Sequence, residues 1–283
     1  MNSSHVVRRL TRAFAAALLA VACSAAADTR TYMSGGKVAL VGIGSATVYG
    51  VGHFVKSADA AAVPRWSRPG GLERRLQYVL GGGFHAGKTN FLDSDAGSAL
   101  TPAMGLITVG LADLTWPQGD REKTFLQDQF LIWSGLIATK GITDLSKGLF
   151  RRTRPVVALE PDLAPRGMSP RYRHQSFFSG HASSAFFSMA YTNIRIRSIM
   201  RSRLSAAEYR DWRWLPPTVF FSWAGYVGWS RIHAFKHYVS DVLAGSLVGW
   251  LLAELFHALG EEDAVSDSHT APTPMVFQVS MTF

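Results

Sequence analysis

Three short stretches of the chain gather cationic, hydroxyl and imidazole side chains in patterns that could do chemistry. The first is KGLFRRTRP at 147–155, in which Lys147 and Arg154 are seven positions apart. Seven positions are two turns of a helix, so both cations would share one face, and Pro155 would end that helix. Alone, the stretch fits either an answer to the dipole at a helix end or a site for an anion.

The second stretch, SFFSGHASS at 176–184, comes directly before an apolar run. Ser179 is a favourable N-cap residue, and Gly180 would let a ligand approach the backbone closely. The free N–H groups of the helix start predict an anion site, with His181 as a candidate proton donor. An ordinary serine cap with a histidine in the first turn explains the same pattern.

The third stretch is SRIHAFKHYVSDVLAG at 230–245. His237 and Asp241 are four positions apart, and on a helix they would be neighbours on one face. A carboxylate that accepts from one imidazole nitrogen would set the tautomer and leave the other nitrogen as a base or nucleophile. Arg231 would add a planar fork of donors for phosphate oxygens.

A metal site is the alternative for the third stretch, because His233 and His237 are also four positions apart. The stretch lacks the neighbouring glutamate of the zinc protease motif, and Cys23 is the only cysteine in the chain. We therefore expect no metal here, and we interpret His233 and Lys236 as bystanders.

In chain order, Lys-x6-Arg-Pro, Ser-Gly-His and Ser-Arg-x5-His-x3-Asp resemble the three-part signature of the phosphatidic acid phosphatase type 2 superfamily. That superfamily also includes bacterial acid phosphatases and vanadium haloperoxidases. The resemblance covers roughly residues 98–258 and matches the first and third parts in full. The middle part departs from it, since Phe178 stands where the family commonly has proline, a position that shapes the loop and carries no chemistry.

The resemblance implies a role for each matched residue. His237 would attack phosphorus, Asp241 would orient and stabilise that imidazole, and His181 would protonate the leaving oxygen and later activate water. The non-bridging oxygens would be held by the side chains of Lys147, Arg154, Arg231 and Ser179 and by the N–H of Gly180. No divalent metal and no other cofactor is expected, because the three cations take the place of a metal.

The chemistry that follows is hydrolysis of phosphate monoesters, lipid-linked or small, through a phosphohistidine intermediate. A vanadium-dependent haloperoxidase would use the same pocket with vanadate in place of phosphate. A catalytically silent protein that binds the cell envelope through its C-terminal strand is the alternative from another class. The expected partners are a phosphorylated substrate and a membrane surface, and the oligomeric state stays open.

Helices must position these stretches. From about residue 98 the apolar residues form blocks separated by polar or turn-rich linkers, and these blocks predict an all-α helical bundle of the acid phosphatase and haloperoxidase type over 98–260. Residues 28–97 are expected to be irregular or amphipathic, with 35–52 open between a strand and a small-residue helix. The tail 261–283 is polar and ends in the strand-like segment 277–283.

The N-terminus has the pattern of an export signal: arginines, the apolar run AFAAALLAVA at 13–22, and small residues before Asp28. We expect a signal peptide at 1–27, which would contain Cys23, and a mature protein in the periplasm. The net charge of +9 suits anionic partners, but scattered positive clusters without a binding motif argue against nucleic acid. Charged residues interrupt the apolar blocks, which favours a soluble or peripherally membrane-associated protein over an integral inner-membrane protein with its site facing the periplasm.

Overall fold

The computed structural model describes residues 32–58, 63–82, 95–116 and 119–261, with the backbone alone for 95–98. The expected signal peptide, its cysteine and the strand-like segment 277–283 lie outside the described residues. The boundaries 98–260 and 261–283 remain predictions of the sequence.

The described residues form an all-helical bundle, and the predicted all-α class is confirmed. Apart from one isolated parallel bridge between Trp66 and Arg152, no β structure occurs in these ranges. The long helices are α1 (Gly35–Ser57), α3 (Asp95–Thr115), α4 (Arg121–Phe150), α7 (Gly180–Arg203), α9 (Leu215–His233) and α10 (Val239–Glu261), and the short ones are α2 (Gly71–Gly81), α5 (Pro155–Leu159), α6 (Pro170–Arg173) and α8 (Ala206–Trp212).

Helix α1 decides the alternative left open for 35–52 in favour of the small-residue helix, and it corrects the irregular interpretation for that part of 28–97. Ser34 caps the helix by accepting a hydrogen bond from the N–H of Lys37, and 35–52 is helical throughout. The helix packs against α4 so closely that a Cβ on Gly52 would lie 2.0 Å from the carbonyl oxygen of Gly141. A small-residue sequence with weak periodicity therefore becomes a helix because a glycine-lined partner face lies beside it, which the local sequence does not reveal.

Helix α7 lies at the centre of the bundle and packs against α3, α4, α9 and α10. Its buried Phe187 and Tyr191 join a core to which α3, α4 and α10 also contribute. Burial of each such large side chain contributes about 1.5–3 kcal/mol. The core holds α4, α7 and α10 in fixed register, and these are the helices that carry or adjoin the three candidate stretches.

Large apolar side chains are exposed on the outside of the bundle. Leu40 and Phe54 on α1 are 73% and 77% exposed, Ile107 on α3 is 61% exposed, and Leu243 on α10 is 65% exposed. Within the described residues, α1 and α10 are long and apolar enough, by length and composition, to cross a membrane. Such a surface is unusual for a protein that contacts only water.

Candidate functional site

The three candidate stretches lie together at one end of the bundle. Arg154 of the first stretch donates hydrogen bonds to the third stretch and to residues just before the second. Its guanidinium donates to the carbonyl oxygens of Tyr172 at 2.9 Å, Lys236 at 2.9 Å and Gln175 at 3.2 Å. The same guanidinium lies 3.9 Å from the ring centre of Tyr172. Three of its five N–H groups are used in this way, so two remain for an anion.

Lys147 and Arg154 approach each other by a different route from the predicted one. Helix α4 ends at Phe150, since Arg151 adopts a left-handed conformation with φ 46°. Arg154 is the N-cap residue of α5 and Pro155 is its first residue, so the proline begins a helix instead of ending one. The expectation that one continuous helix carries both cations is wrong. The chain turn after Phe150 nevertheless brings Arg154 close enough to influence the pKa of Lys147.

The start of α7 matches its predicted local structure. The Ser179 side chain accepts from the N–H of Ala182 at 3.4 Å, which confirms the N-cap. A Cβ on Gly180 would lie 3.5 Å from Lys147 Nζ, so the glycine lets the lysine approach the helix start. His181 Nε2 is buried and has no hydrogen-bond partner within the described ranges. This arrangement leaves an imidazole nitrogen beside a cation with its hydrogen-bonding capacity unused.

His237 lies in the turn before α10, so the prediction that it shares a helical face with Asp241 is wrong. Helix α10 begins only at Val239. The N–H groups of Lys236 and His237 both donate to the carbonyl oxygen of Arg231, at 3.2 and 3.3 Å, and this compact turn holds the imidazole against the bundle. The side chains of Arg231 and His237 are both buried.

Asp241 does not bond directly to His237. Its Oδ2 is 3.9 Å from His237 Nδ1, whereas the carbonyl oxygen of Ser176 is 2.7 Å from that nitrogen. A carbonyl can only accept, so Nδ1 carries the proton and the neutral ring offers its lone pair at Nε2. Asp241 Oδ2 instead accepts from Ser176 Oγ at 2.6 Å. The carboxylate therefore orients the imidazole through Ser176, which corrects the predicted direct contact.

The electrostatics favour a neutral pair of histidines among crowded cations. Burial lowers the pKa of His237 well below its usual range, and Arg154 and Lys147 lower it further. Burial also lowers the pKa of His181, followed by the charge of Arg231. Burial and then Arg154 lower the pKa of Lys147 to about 7. An anion bound here would offset the crowded positive charge and raise all three pKa values.

The structure adds two site residues that were not identified from the sequence, Arg152 and Glu73. Arg152 donates from NH1 to Asp241 Oδ1 at 2.6 Å and forms an ion pair with Glu73. Its guanidinium lies 3.7 Å from the ring centre of Trp66 and 4.1 Å from that of Tyr238. Arg152 lies inside the first stretch, so its charge could have marked it as a candidate site residue. Glu73 lies 79 positions away, and no motif around it indicated a place in the site.

The segment 63–82 packs on the end of the bundle that carries the candidate site, through several contacts. The N–H of Thr153 donates to the carbonyl oxygen of Trp66 at 2.9 Å. On the other side of the segment, Tyr78 in α2 donates to the Glu160 carboxylate at 2.7 Å. A region with no recognisable motif thus forms a wall of the site.

The two presumed bystanders have different surroundings. The His233 ring stacks on Trp229 with ring centres 5.0 Å apart. Lys236 offers its carbonyl oxygen to Arg154, and its positive charge contributes to the lowered pKa of His181, so it takes part in the site. Among the described residues there is no group of three or more His, Cys, Asp or Glu side chains placed to hold a metal ion.

Comparison with known proteins gives one family. Residues 130–263 match the model of the PAP2 superfamily. The chain is 32% identical over 143 residues to phospholipid phosphatase 2 of Bos taurus, an alignment that covers 43% of this chain and 46% of the relative. It is 31% identical over 144 residues to phospholipid phosphatase 2 of Homo sapiens, with 43% and 46% covered. Against phospholipid phosphatase 1 of Mus musculus the identity is 28% over 157 residues, with 48% and 52% covered.

The chain therefore spans about half the length of the curated relatives it matches. No solved structure matches it. The matched region 130–263 contains all eight predicted site residues and Arg152, but it does not contain Glu73.

Proposed function

The chain belongs to the PAP2 superfamily, and we propose that it is a phosphatase that hydrolyses phosphate monoesters of lipids through a phosphohistidine intermediate. One observation carries the proposal. His237 is buried and has a defined Nε2 lone pair, and His181 has a buried Nε2 without a partner in the described residues; the charges of Lys147, Arg154 and Arg231 act on this pair. A tetrahedral dianion between the imidazoles would meet all three cations.

In the proposed first step, His237 Nε2 attacks phosphorus and the bond to the ester oxygen breaks. His181 donates a proton to that oxygen, so the alcohol leaves neutral. In the second step His181 takes a proton from water, the water oxygen attacks phosphorus, and the bond to Nε2 breaks to free the imidazole. His181 then returns its proton to the departing phosphate and becomes neutral again. Lys147, Arg154 and Arg231 hold the non-bridging oxygens throughout.

The proton on His181 is proposed to arrive with the substrate. In the free protein, burial and the neighbouring cations keep the pKa of His181 far below its usual range, so the ring is neutral. The phosphate group of a monoester has a second pKa near about 6, so its monoanion carries the needed proton in mildly acidic solution. Once bound, the negative charge offsets Arg231 and Lys147 and favours the imidazolium. We propose no metal, because these cations and Arg154 supply the charge stabilisation.

An apolar cavity supports a lipid substrate. It has a volume of about 350 Å³, opens to the surface between α7, α9 and α10, and is lined mainly by Phe186, Phe221, Leu247 and Trp250. Phe186 is five residues beyond His181 on α7, which places the cavity roughly 7–8 Å along the helix from the site. A cationic pocket beside an apolar cavity suits a phosphate with an aliphatic chain. The phospholipid phosphatases among the relatives agree with this substrate class.

We propose that the protein associates with a membrane, where such substrates reside, and that it acts on the periplasmic side after export. The exposed apolar side chains of α1, α3 and α10 support lipid contact. The measurement is fractionation of cells followed by an alkaline carbonate wash. Protein that stays in the pellet is integral, protein that the wash releases is peripheral, and protein found only in the first soluble fraction would contradict membrane association.

The decisive test is phosphate release by the purified protein in the presence of EDTA. Phosphatidate in mixed micelles and p-nitrophenyl phosphate should be assayed side by side at mildly acidic and neutral pH. We expect release from both, with a higher kcat/KM for the lipid, inhibition by vanadate, and an acid-labile phosphoprotein during turnover. His237→Ala should lose activity, and His233→Ala, a histidine at the end of the preceding helix α9, should keep it.

Absence of release from both substrate classes would overturn the phosphatase assignment. Halide oxidation that appears only after vanadate loading would instead indicate a haloperoxidase. Preference for the small ester by a large factor would overturn the lipid class while leaving the reaction in place.

A further inference from the structure

We propose that Glu73 and Arg152 are positioning residues for the reaction, and that they act on His237 through Asp241 and Ser176. The inference rests on the proposed phosphatase function. It assigns a role to the segment 63–82, which lies outside the residues that match the family model. Neither residue contacts the position of the phosphate in the proposed mechanism.

Packing against two aromatic rings fixes the plane of the Arg152 guanidinium. Its guanidinium is enclosed between the rings of Trp66 and Tyr238, at 3.7 and 4.1 Å from their centres. Its side chain is only 1% exposed. Because the guanidinium is stacked between two aromatic rings, its N–H groups can donate only within the plane of the guanidinium itself. The direction in which Arg152 donates is therefore set by the packing.

The N–H groups of Arg152 lie between two carboxylates. Arg152 Nη1 donates to Asp241 Oδ1 at 2.6 Å and to Ser240 Oγ at 2.7 Å, while Arg152 Nη2 pairs with Glu73 Oε2. Ser240 Oγ also donates to Glu73 Oε1. Glu73, Ser240 and Arg152 thus form a closed set of contacts beside Asp241. Glu73 offsets part of the guanidinium charge and fixes the end of Arg152 that faces away from Asp241.

Ser176 connects this set of contacts to His237. Its Oγ donates to Asp241 Oδ2 at 2.6 Å, and its N–H donates to the carbonyl oxygen of Arg152 at 3.0 Å. Its own carbonyl oxygen accepts from His237 Nδ1 at 2.7 Å. Because both other polar groups of Ser176 are bound to the Arg152–Asp241 pair, a shift of that pair moves the carbonyl and turns the imidazole. The Nε2 lone pair would then miss the in-line direction of attack.

A structural role alone would make Glu73 one of several docking contacts of its segment. Tyr78, on the same helix α2, makes such a contact with Glu160. Within the described residues, the Glu160 carboxylate forms no hydrogen bond or ion pair with Asp241 or with its partners Arg152 and Ser176. Glu160→Gln is therefore the matched control for Glu73→Gln: each changes one carboxylate at the α2 interface to an amide of the same shape. Only Glu73 leads to the histidine.

The experiment measures kcat, KM and the rate of phosphoprotein formation for purified wild type, Glu73→Gln and Glu160→Gln. We expect Glu73→Gln to lower kcat and the rate of phosphorylation by about 10-fold, as loss of a group that orients a reacting ligand typically does, with KM within about 2-fold of wild type. Glu160→Gln should keep kcat within about 2-fold, whatever its effect on the melting temperature.

A coupling measurement completes the test. In a Ser176→Ala background the link between Asp241 and Ser176 is already absent, so Glu73→Gln should lower kcat by less than about 3-fold. Independent, multiplying losses would overturn the inference, as would equal kcat losses in Glu73→Gln and Glu160→Gln. If Glu73→Gln does not fold, Ser240→Ala takes its place, since that hydroxyl contacts both Glu73 and Arg152. A wild-type protein without activity would refute the proposed function itself, which is a separate outcome.

Discussion

Two arginines of this molecule are buried between pairs of carboxylates, at opposite ends of the bundle. Arg152 lies between Glu73 and Asp241 at the proposed catalytic end. Arg195 lies on α7 about 20 Å along the helix from its start, and it too contacts two acidic side chains. Comparison of the two clusters shows how the same kind of buried ion pair can have different roles.

The distal cluster joins three helices. Arg195 Nε lies 2.8 Å from Asp113 Oδ1 of α3 and 2.8 Å from Asp128 Oδ2 of α4. Tyr191 donates to Asp128 Oδ1 at 2.8 Å and places its ring in the apolar core. Burial, and then the neighbouring Asp128, raise the pKa of Asp113 to about 8.

The surroundings of the two arginines make the difference. The contacts of Arg152 continue through Asp241 and Ser176 to an imidazole, and the negative charge of Asp241 also acts on Arg154. The contacts of Arg195 lead through Asp128 to Tyr191 in the apolar core, and the raised pKa of Asp113 reduces the negative charge of the carboxylate pair. A buried ion pair is therefore connected to the proposed nucleophile in one place and joins helices in the other.

The largest contrast is expected between two residues of α7. His181→Asn should lower kcat by about 100- to 10,000-fold for an alkyl phosphate, the range typical of a general acid, and by less for p-nitrophenyl phosphate, whose leaving group needs no proton. Tyr191→Phe at the other end should leave kcat unchanged. Steady-state assays with both substrates make the test, and an equal loss for both leaving groups would contradict the general-acid role.

Arg195→Gln should act mainly on stability. Removal of one partner from a buried ion pair typically costs about 3–5 kcal/mol because the carboxylates lose their counter-charge. We expect a large fall in melting temperature with kcat per folded molecule near that of wild type. Thermal unfolding and active-site titration measure the two quantities. A loss of kcat in fully folded Arg195→Gln would show that the distal cluster also controls the site.

The pH dependence of activity should reflect the catalytic end. Since the lowered pKa values keep His181 and His237 neutral, the substrate monoanion must bring the proton. We expect kcat/KM to fall roughly tenfold per pH unit above about pH 6, where the monoester loses its second proton. A profile of kcat/KM from pH 4 to 8 tests this. A flat profile up to pH 8 would exclude the monoanion as the reacting form.

The pH dependence of stability should reflect the distal end, with the smallest effect. The pKa of Asp113 is 3.8 when unperturbed and about 8 in the fold, so the protonated carboxyl stabilises the fold fully below about pH 4 and this contribution is lost as the pH rises towards 8. Asp113→Asn cannot ionise. Its melting temperature should fall by several °C less than that of wild type between pH 5 and 8, with unchanged kcat. Parallel curves would contradict the raised pKa.

Short-range features of the site could be predicted well from the sequence. Ser179 was expected to cap the helix of His181, and it does so. The all-α class followed from apolar blocks and linkers. Helix continuity could not be predicted as well: Arg151 ends α4 with a left-handed conformation, and α10 starts too late to include His237. Both boundaries depend on loops that are held by contacts with distant segments, and local propensity does not include those contacts.

The chain by itself determined which chemical groups are present and their order, because each of the three signature segments spans twelve residues or fewer. Only the tertiary structure decided what orients His237, the proposed nucleophile. His237 bonds to Ser176, 61 positions earlier, and Arg152 pairs with Glu73, 79 positions earlier. Contacts of this kind arise when helices pack and bring remote residues within 3 Å, and no periodicity or local spacing along the chain encodes them.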